Sequence, residues 1–368
     1  MKKRISILIA IMMLLVSMFM FNACIDNLPP DQLPSSVTIY VPDGPPLLAL
    51  ANIYTESSKV QGVDIEVYRT TGPLIGGHLI AGRPDFALVP MNLAATRFNT
   101  DGEYILAGVA LWGLLHIIEN TNHSDGNYAT SLNDLVGQTI IAYQRNMSPG
   151  IVLETILREN GLTVNWMTAA DDVNPNAVNI IALADNAAAN TAIMGNNAAW
   201  PDARFALLAE PVASMRESEN NFRRAFDLQD EWAAAFEDED FDARIPQVGV
   251  VVRSSLANYH PAFVNEVLSL IEGSISFVRE NPNQAADLII NQLESVYMPN
   301  SVAVVTNFLN TTGQYVYEFM SAGEAKAAIL HFLNILYAIN PAFIGGSVPS
   351  SDFFFAQMSA RPPIPPSC

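Results

Sequence analysis

Cysteine is nearly absent. The 368 residues contain two, Cys24 and Cys368, at opposite ends, an arrangement that excludes a thiolate metal centre. Basic residues are scarce as well: 18 Lys and Arg stand against 37 Asp and Glu, for a formal charge of -19. Beyond the first four residues no basic cluster exceeds the pair Arg223-Arg224. Phosphate-rich polymers are bound by clustered cations that displace counterions, so no nucleic-acid partner is expected, and an anionic membrane surface would not hold this chain electrostatically. Catalytic spacings are also missing. The five histidines, His78, His116, His123, His260 and His331, sit in no Ser-His-Asp pattern, and GPLIGG at 72–77 lacks the lysine of a phosphate-binding loop. The acidic run from Glu237 to Asp242 lacks the Gly and terminal Glu of a calcium loop, so it reads as a solvated surface loop and no metal is expected.

What is present begins at the N-terminus. Lys2-Lys3-Arg4 precede an uncharged stretch from Ile5 to Met20, then Phe21-Asn22-Ala23-Cys24. A positive start, an apolar middle and a small residue before the break are the layout of an export signal. The cysteine placement resembles a bacterial lipoprotein signal, which implies removal of residues 1–23 and lipidation of Cys24. Phe21 departs mildly from the usual Leu; a plain signal peptide and an uncleaved anchor are the alternatives. With Cys24 acylated, no disulfide is available. Residues 24–36, rich in Pro, read as a tether. No second stretch approaches the roughly 20 apolar residues of a membrane span.

From Val37 onward half-hydrophobic sequence alternates strand and helix, with length for two or three domains. Runs at 37–41, 63–68, 85–89 and 104–110 read as strands separated by helices, the βαβαβ order of a parallel sheet. The stretch DFALVPMNLAATR, at 85–97, is an apolar strand stopped by Pro90 with a helix opening at Met91-Asn92. RFALLAEPVASM, at 204–215, repeats that corner. Two such corners, one in each half, suggest two lobes facing one cleft, although any α/β chain has several corners. Leu114 to Glu119 reads as a strand leaving the first sheet. A strand at 139–143, a loop at 144–147, a helix at 148–160 opened by Ser148-Pro149, a strand at 164–168 and a helix at 185–197 build the second half. The chain returns at Gln247 to Arg253. Apolar residues then recur at helical spacing through 263–279, 284–293, 302–315 and 324–337.

Eight pieces together resemble the solute-binding proteins of ABC importers, in the branch associated with nitrate, sulfonates, taurine and thiamine precursors. They are VTIYVPDGPPLLAL, AGRPDFALVPMNLAA, VALWGLLHII, SLNDLVGQTIIAY, FALLAEPVAS, FDLQDEW, IPQVGVVVRSSLANYHP and IGGSVPSSDFFF, in order from Val37 to Phe355. The resemblance implies an α/β, two-lobed periplasmic-binding fold of type II with two crossover hinge strands and a helical C-terminal part. Lobe 1 would comprise 37–113 and 245–368, and lobe 2 would comprise 114–244. It implies a monomeric, lipid-anchored receptor on the extracytoplasmic face of the cell membrane that passes a small solute to an ABC permease and its ATPase. No cofactor and no enzymatic activity are expected. A sensory or orphan binding lipoprotein and a biosynthetic enzyme on the same fold are the alternatives.

Carried over residue by residue, the resemblance places ligand contacts at Asp43, Gly44 and Pro45, at Met91 and Asn92, at Trp112 and Gly113, at Arg145, Asn146 and Ser148, and at Glu210. Helix starts at Pro45, Asn92 and Ser148 would offer N–H groups to an anion or carbonyl. Trp112 would stack on a flat ligand or else fill the core. Asp43-Gly44 is also ordinary turn chemistry, and Glu210 also a local cap or ion pair. Arg145 is the sole basic residue of its loop. With Met91, Met147 and Trp112 nearby, a neutral or weakly charged organic solute fits these corners better than nitrate or sulfate.

Overall fold

The computed structural model describes residues 32–169, 172–236 and 243–356. The signal at 1–23, Cys24, most of the tether, the acidic run Glu237 to Asp242 and Cys368 lie outside the described residues. Among the described residues thirteen strands follow in chain order: β1 (Ser36–Pro42), β2 (Ser58–Val60), β3 (Val63–Thr70), β4 (Phe86–Pro90), β5 (Tyr104–Trp112), β6 (Leu115–Asn120), β7 (Thr139–Tyr143), β8 (Val164–Trp166), β9 (Val178–Leu183), β10 (Phe205–Ala209), β11 (Phe222–Asp227), β12 (Pro246–Arg253) and β13 (Tyr317–Ser321). They form a seven-stranded sheet, β13-β5-β12-β4-β1-β3-β2, and a six-stranded sheet, β11-β6-β10-β7-β9-β8.

The apolar runs explain the centres of both sheets. Phe86, Ala87, Leu88 and Val89 of β4 are fully buried, as are Phe205 to Leu208 of β10, because helices cover both faces of a parallel strand. β1 pairs in parallel with β3 and β4, and β7 with β9 and β10. Of the sheet edges, β8 is the strand expected over 164–168, and the other three are not marked in the sequence. β2 is a short hairpin arm joined to β3 through Gln61 and Gly62, both at positive φ, the backbone a tight two-residue turn requires. β11 carries Arg223 and Arg224, so its alternation is masked, yet it pairs antiparallel with β6. β9 was not foreseen. β13 interrupts the expected helical C-terminal part and adds an antiparallel edge to β5.

The long C-terminal helices otherwise follow the predicted spacing, at Pro261–Glu280, Val302–Asn310 and Lys326–Ile339, while the helix at Pro282–Asp287 runs on as a π-helical turn over Leu288–Gln292. The helix expected over 185–197 ends at Ile193. One correction concerns membrane spans: Pro261–Glu280 is long and apolar enough to cross a bilayer by length and composition. Its apolar stripe is spent inside the protein, with Val264, Val267, Leu268, Ile271, Ile275 and Val278 buried, as an amphipathic core helix requires.

Two crossings join the sheets, outward through Gly113-Leu114 between β5 and β6, and back into β12. They run side by side, since the Gly113 N–H donates to Ile245 O at 3.1 Å. Gln229 clamps the return: its Nε2 donates to Ala243 O at 3.0 Å and its Oε1 accepts from the Ile245 N–H at 2.9 Å. A Cβ at Gly113 would meet this side chain, 2.9 Å from Gln229 Cβ. Gly113→Ala is therefore expected to displace Gln229 and cost about 1–3 kcal/mol, as overpacking does. Hydrogen exchange at Ile245 checks it, with faster exchange expected in the variant.

Candidate functional site

A cavity of about 150 Å³ lies between the sheets. Its walls come from the C-terminal ends of parallel strands: Pro42 ending β1 with Asp43 after it, Gly72 and Pro73 after β3, Pro90 ending β4, Tyr143 ending β7 with Gln144 after it, and Asp185 and Asn186 after β9. Gln247 of β12, Leu114 of the outward crossing, Met147 and Tyr297 also line it. Crevices outside the carboxyl ends of strands are where open α/β sheets place ligands. A wider depression of about 460 Å³ lies on the outer flank, lined by Asn52, Glu56, Phe277, Asp287 and Gln292. None of these residues belongs to a strand end or a crossing, so the smaller cavity is the better candidate.

Of the residues expected at the ligand, Asp43 and Pro45 line this cavity. Gly44 lies between them at φ 101° and shapes the turn, its N–H donating to Asp43 Oδ1 at 2.8 Å. Met91 is fully buried behind the β4 corner. Asn92, Asn146 and Ser148 meet one another instead: Ser148 Oγ donates to Asn92 Oδ1 at 3.2 Å, and Asn92 Nδ2 to Asn146 O at 3.4 Å. These bonds tie the helix after β4 to the loop after β7, one sheet's corner to the other's.

The remaining expected contacts face elsewhere. Trp112 is 1% exposed; its Nε1 donates to Glu318 O at 2.9 Å and Arg244 covers its ring at 4.4 Å. It packs in the core and offers no face to the cavity. Gly113 packs on Gln229, as described. Arg145 points outward, its guanidinium 4.9 Å above the Trp166 ring, an arrangement that satisfies the cation on an aromatic face. Glu210 is 1% exposed and ion-paired: Oε1 lies 2.8 Å from Arg224 Nη2 and 3.2 Å from His116 Nε2, and Oε2 accepts from the Ser214 N–H at 3.1 Å. Burial pushes its carboxyl up, but the bond and charge of His116 and the charge of Arg224 outweigh that and hold it down to about 2.

The sequence reading missed Pro73, Tyr143, Gln144, Asp185, Asn186, Gln247 and Tyr297. Asp185 carried the best available signal, as an N-cap residue directly after an apolar run: its Oδ1 accepts from the Ala188 N–H at 2.9 Å. Burial drives the Tyr143 phenol well above its ordinary pKa, with the Asp185 charge adding to the rise, so the hydroxyl stays protonated. Gln247 is 5% exposed, and its Oε1 has no hydrogen-bond partner among the described residues.

Two α/β sheets joined by paired crossings around a cleft at their strand ends define the type II periplasmic-binding fold. Comparison with solved structures bears this out. An ABC transporter protein from Parabacteroides distasonis aligns over 88% of this chain and 100% of its own, at 18% identity and a TM-score of 0.67. The periplasmic aliphatic sulphonate binding protein SsuA from Escherichia coli aligns over 90% and 95%, at 15% identity and a TM-score of 0.61. The ligand binding component of an ABC-type import system from Staphylococcus aureus aligns over 88% and 97%, at 14% identity and a TM-score of 0.59. The likeness is one of fold. No protein-family model matches the chain, and no curated protein matches it.

Proposed function

We propose that this protein is the extracytoplasmic solute-binding lipoprotein of an ABC importer, anchored to the cell membrane through Cys24. It captures a small organic solute, neutral or weakly charged, in the cleft and passes it as a monomer to a membrane permease served by a separate ATPase. The observation that carries this reading is the cavity walled by strand ends of both sheets where two adjacent crossings join them. In this reading 37–113 with 245–368 forms one lobe and 114–244 the other, and they close about the crossings as hinged binding domains do. The Asn92, Asn146 and Ser148 bonds then act as a latch between the closed lobes.

Native mass spectrometry of the gently purified full chain, followed by thermal shift against organic solutes and inorganic anions, tests the reading. A retained or added small solute is expected to raise the melting temperature, since a ligand that binds only the folded state stabilises it by mass action. Absence of any bound solute and of any shift across the panel would remove the receptor reading. The intact mass of the membrane-extracted protein checks the anchor: loss of residues 1–23 with added acyl mass on Cys24 is expected, and an unmodified Cys24 would rule it out.

A further inference from the structure

We infer that the cleft selects a small organic cation and rejects oxyanions, an inference that rests on the solute-receptor reading above. The first part of the argument concerns donors. An anion in such a cleft is bound by helix-start N–H groups or by basic side chains. At the corners proline fills the first two positions of the helix at Pro45–Ala49 and the second position of those at Gly72–Ile80 and Ser148–Glu159. This removes four helix-start N–H groups, since proline has none to give, while the helix at Met91–Asp101 starts without proline on two buried residues, Met91 and Asn92. The helix at Asn186–Ile193 starts at the cavity wall, but the Asp185 carboxylate sits at that start and accepts from the Ala188 N–H, which sets a negative charge where an anion would approach. The basic residue of the nearest loop, Arg145, lies outward on Trp166. Among the described residues lining the cavity none is Lys, Arg or His.

The second part concerns acceptors. Asp43 and Asp185 both line the cavity, and neither is ion-paired among the described residues. Asp43 accepts only from neutral donors, the Gly44 N–H, the Ser295 hydroxyl at 2.5 Å and, at 3.3 Å, the Val296 N–H, so its charge is hydrogen-bonded but not cancelled. Gln247 adds the independent signal, a side chain buried in the cavity wall with a carbonyl oxygen that nothing in the described protein satisfies. Buried polar atoms are almost always paired, and one that is not points to a partner that arrives from outside. Tyr143 and Tyr297 bring aromatic rings to the same walls, and ring faces attract cations. Two uncancelled carboxylates, an unpaired acceptor and aromatic walls complement a solute that brings positive charge and N–H donors on a flat apolar body. Amines, amidines and protonated amino-heterocycles have that chemistry.

Three probes of one skeleton test this by titration calorimetry on the full chain: benzamidine as cation, benzamide as neutral isostere and benzenesulfonate as anion. Benzamidine is expected to bind at least about tenfold more tightly than benzamide, to weaken as salt rises, and benzenesulfonate is expected not to bind. Asp185→Asn keeps the helix cap, because Asn caps as well as Asp, but removes the charge. It is expected to keep the wild-type melting temperature, lose about tenfold for benzamidine and leave benzamide unchanged. Gln247→Leu is expected to weaken benzamidine and benzamide together. Tighter binding of benzenesulfonate than of benzamidine, or an Asp185→Asn variant that binds benzamidine as well as wild type, would overturn the inference while leaving the receptor reading intact. Failure of all three probes, together with silence of the broader solute panel, would bring down both.

Discussion

Replacing Glu210 with alanine is expected to destabilise the protein by about 3 kcal/mol or more, the range for breaking a buried ion pair by removing one partner. The carboxylate is 1% exposed and serves Arg224, His116 and the Ser214 N–H at once. Without it, His116, itself fully buried, keeps among the described residues only Asp227 at 3.5 Å as a carboxylate partner. Arg224 retains Glu217 at 3.0 Å and Asp227 at 3.7 Å, which places the loss near the lower end of that range. Urea unfolding reads the result as a lower midpoint at unchanged slope. A loss under about 1 kcal/mol, the worth of an exposed pair, would show that the cluster is not the closed network described. Solute affinity of the folded variant is expected to stay close to wild type, since Glu210 does not line the cavity.

The same residue sets an acid limit. Its folded pKa is held down to about 2, below the ordinary glutamate value of about 4.3, so folding favours the ionised form. The stabilisation is complete above the ordinary value and is lost as pH falls toward the folded one. Glu210→Gln, which cannot titrate, is expected to show a shallower fall in stability between about pH 5 and pH 2 than wild type. Parallel acid profiles for the two proteins would refute this assignment.

The second large effect is expected at Gly150. A Cβ there would stand 2.6 Å from Arg145 Cα and 2.7 Å from Arg145 O, and backbone atoms have no rotamer through which to escape. The loop after β7 folds back over the first turn of the helix at Ser148–Glu159, closed by the Met147 N–H donating to Gln144 O at 2.9 Å. Gln144 holds φ 51°, a left-handed conformation with little room to adjust. Gly150→Ala is expected to cost about 1–3 kcal/mol and to push the loop off the helix. Gln144 and Met147 line the cavity, so solute affinity is expected to fall at least about tenfold, read by calorimetry at a temperature where the variant is folded. Unchanged affinity would mean that the loop does not shape the cavity wall.

These expectations show how the candidate site divided between sequence and structure. The corners were legible because strand ends carry local marks: an apolar run, then Pro90, or Asp43-Gly44, or Ser148-Pro149. Proline at a helix start can be read from the chain alone, and Asp43 and Pro45, which the family resemblance places at the ligand, line the cavity. Gln144, Gln247 and Tyr297 carry no such mark. Each is an ordinary residue of a loop or strand, and each reaches the cavity only through the pairing of distant segments. Trp112 and Glu210 are the converse, chemically eligible for a ligand but engaged by partners far along the chain, Glu318 and Arg244 for one, His116 and Arg224 for the other.

The sequence by itself determined the α/β alternation, the order of most strands, and the corners at which a cleft forms, because periodicity, proline and capping act within a few residues. It also determined the acidic balance and the absence of clustered cations, which are sums over composition. The tertiary structure alone decided the edges β2, β11 and β13, whose short or charged sequences are strands only because a neighbour pairs with them. It alone decided which polar groups were consumed inside the fold and which were left facing the cavity. Glu210 is neutralised by a guanidinium from β11, Arg145 is drawn outward by Trp166, and Gln247 Oε1 is left between the sheets without a partner among the described residues. Satisfaction of a buried charge or hydrogen bond depends on which groups come within about 3 Å, and that distance is set by packing of residues that the linear chain keeps apart.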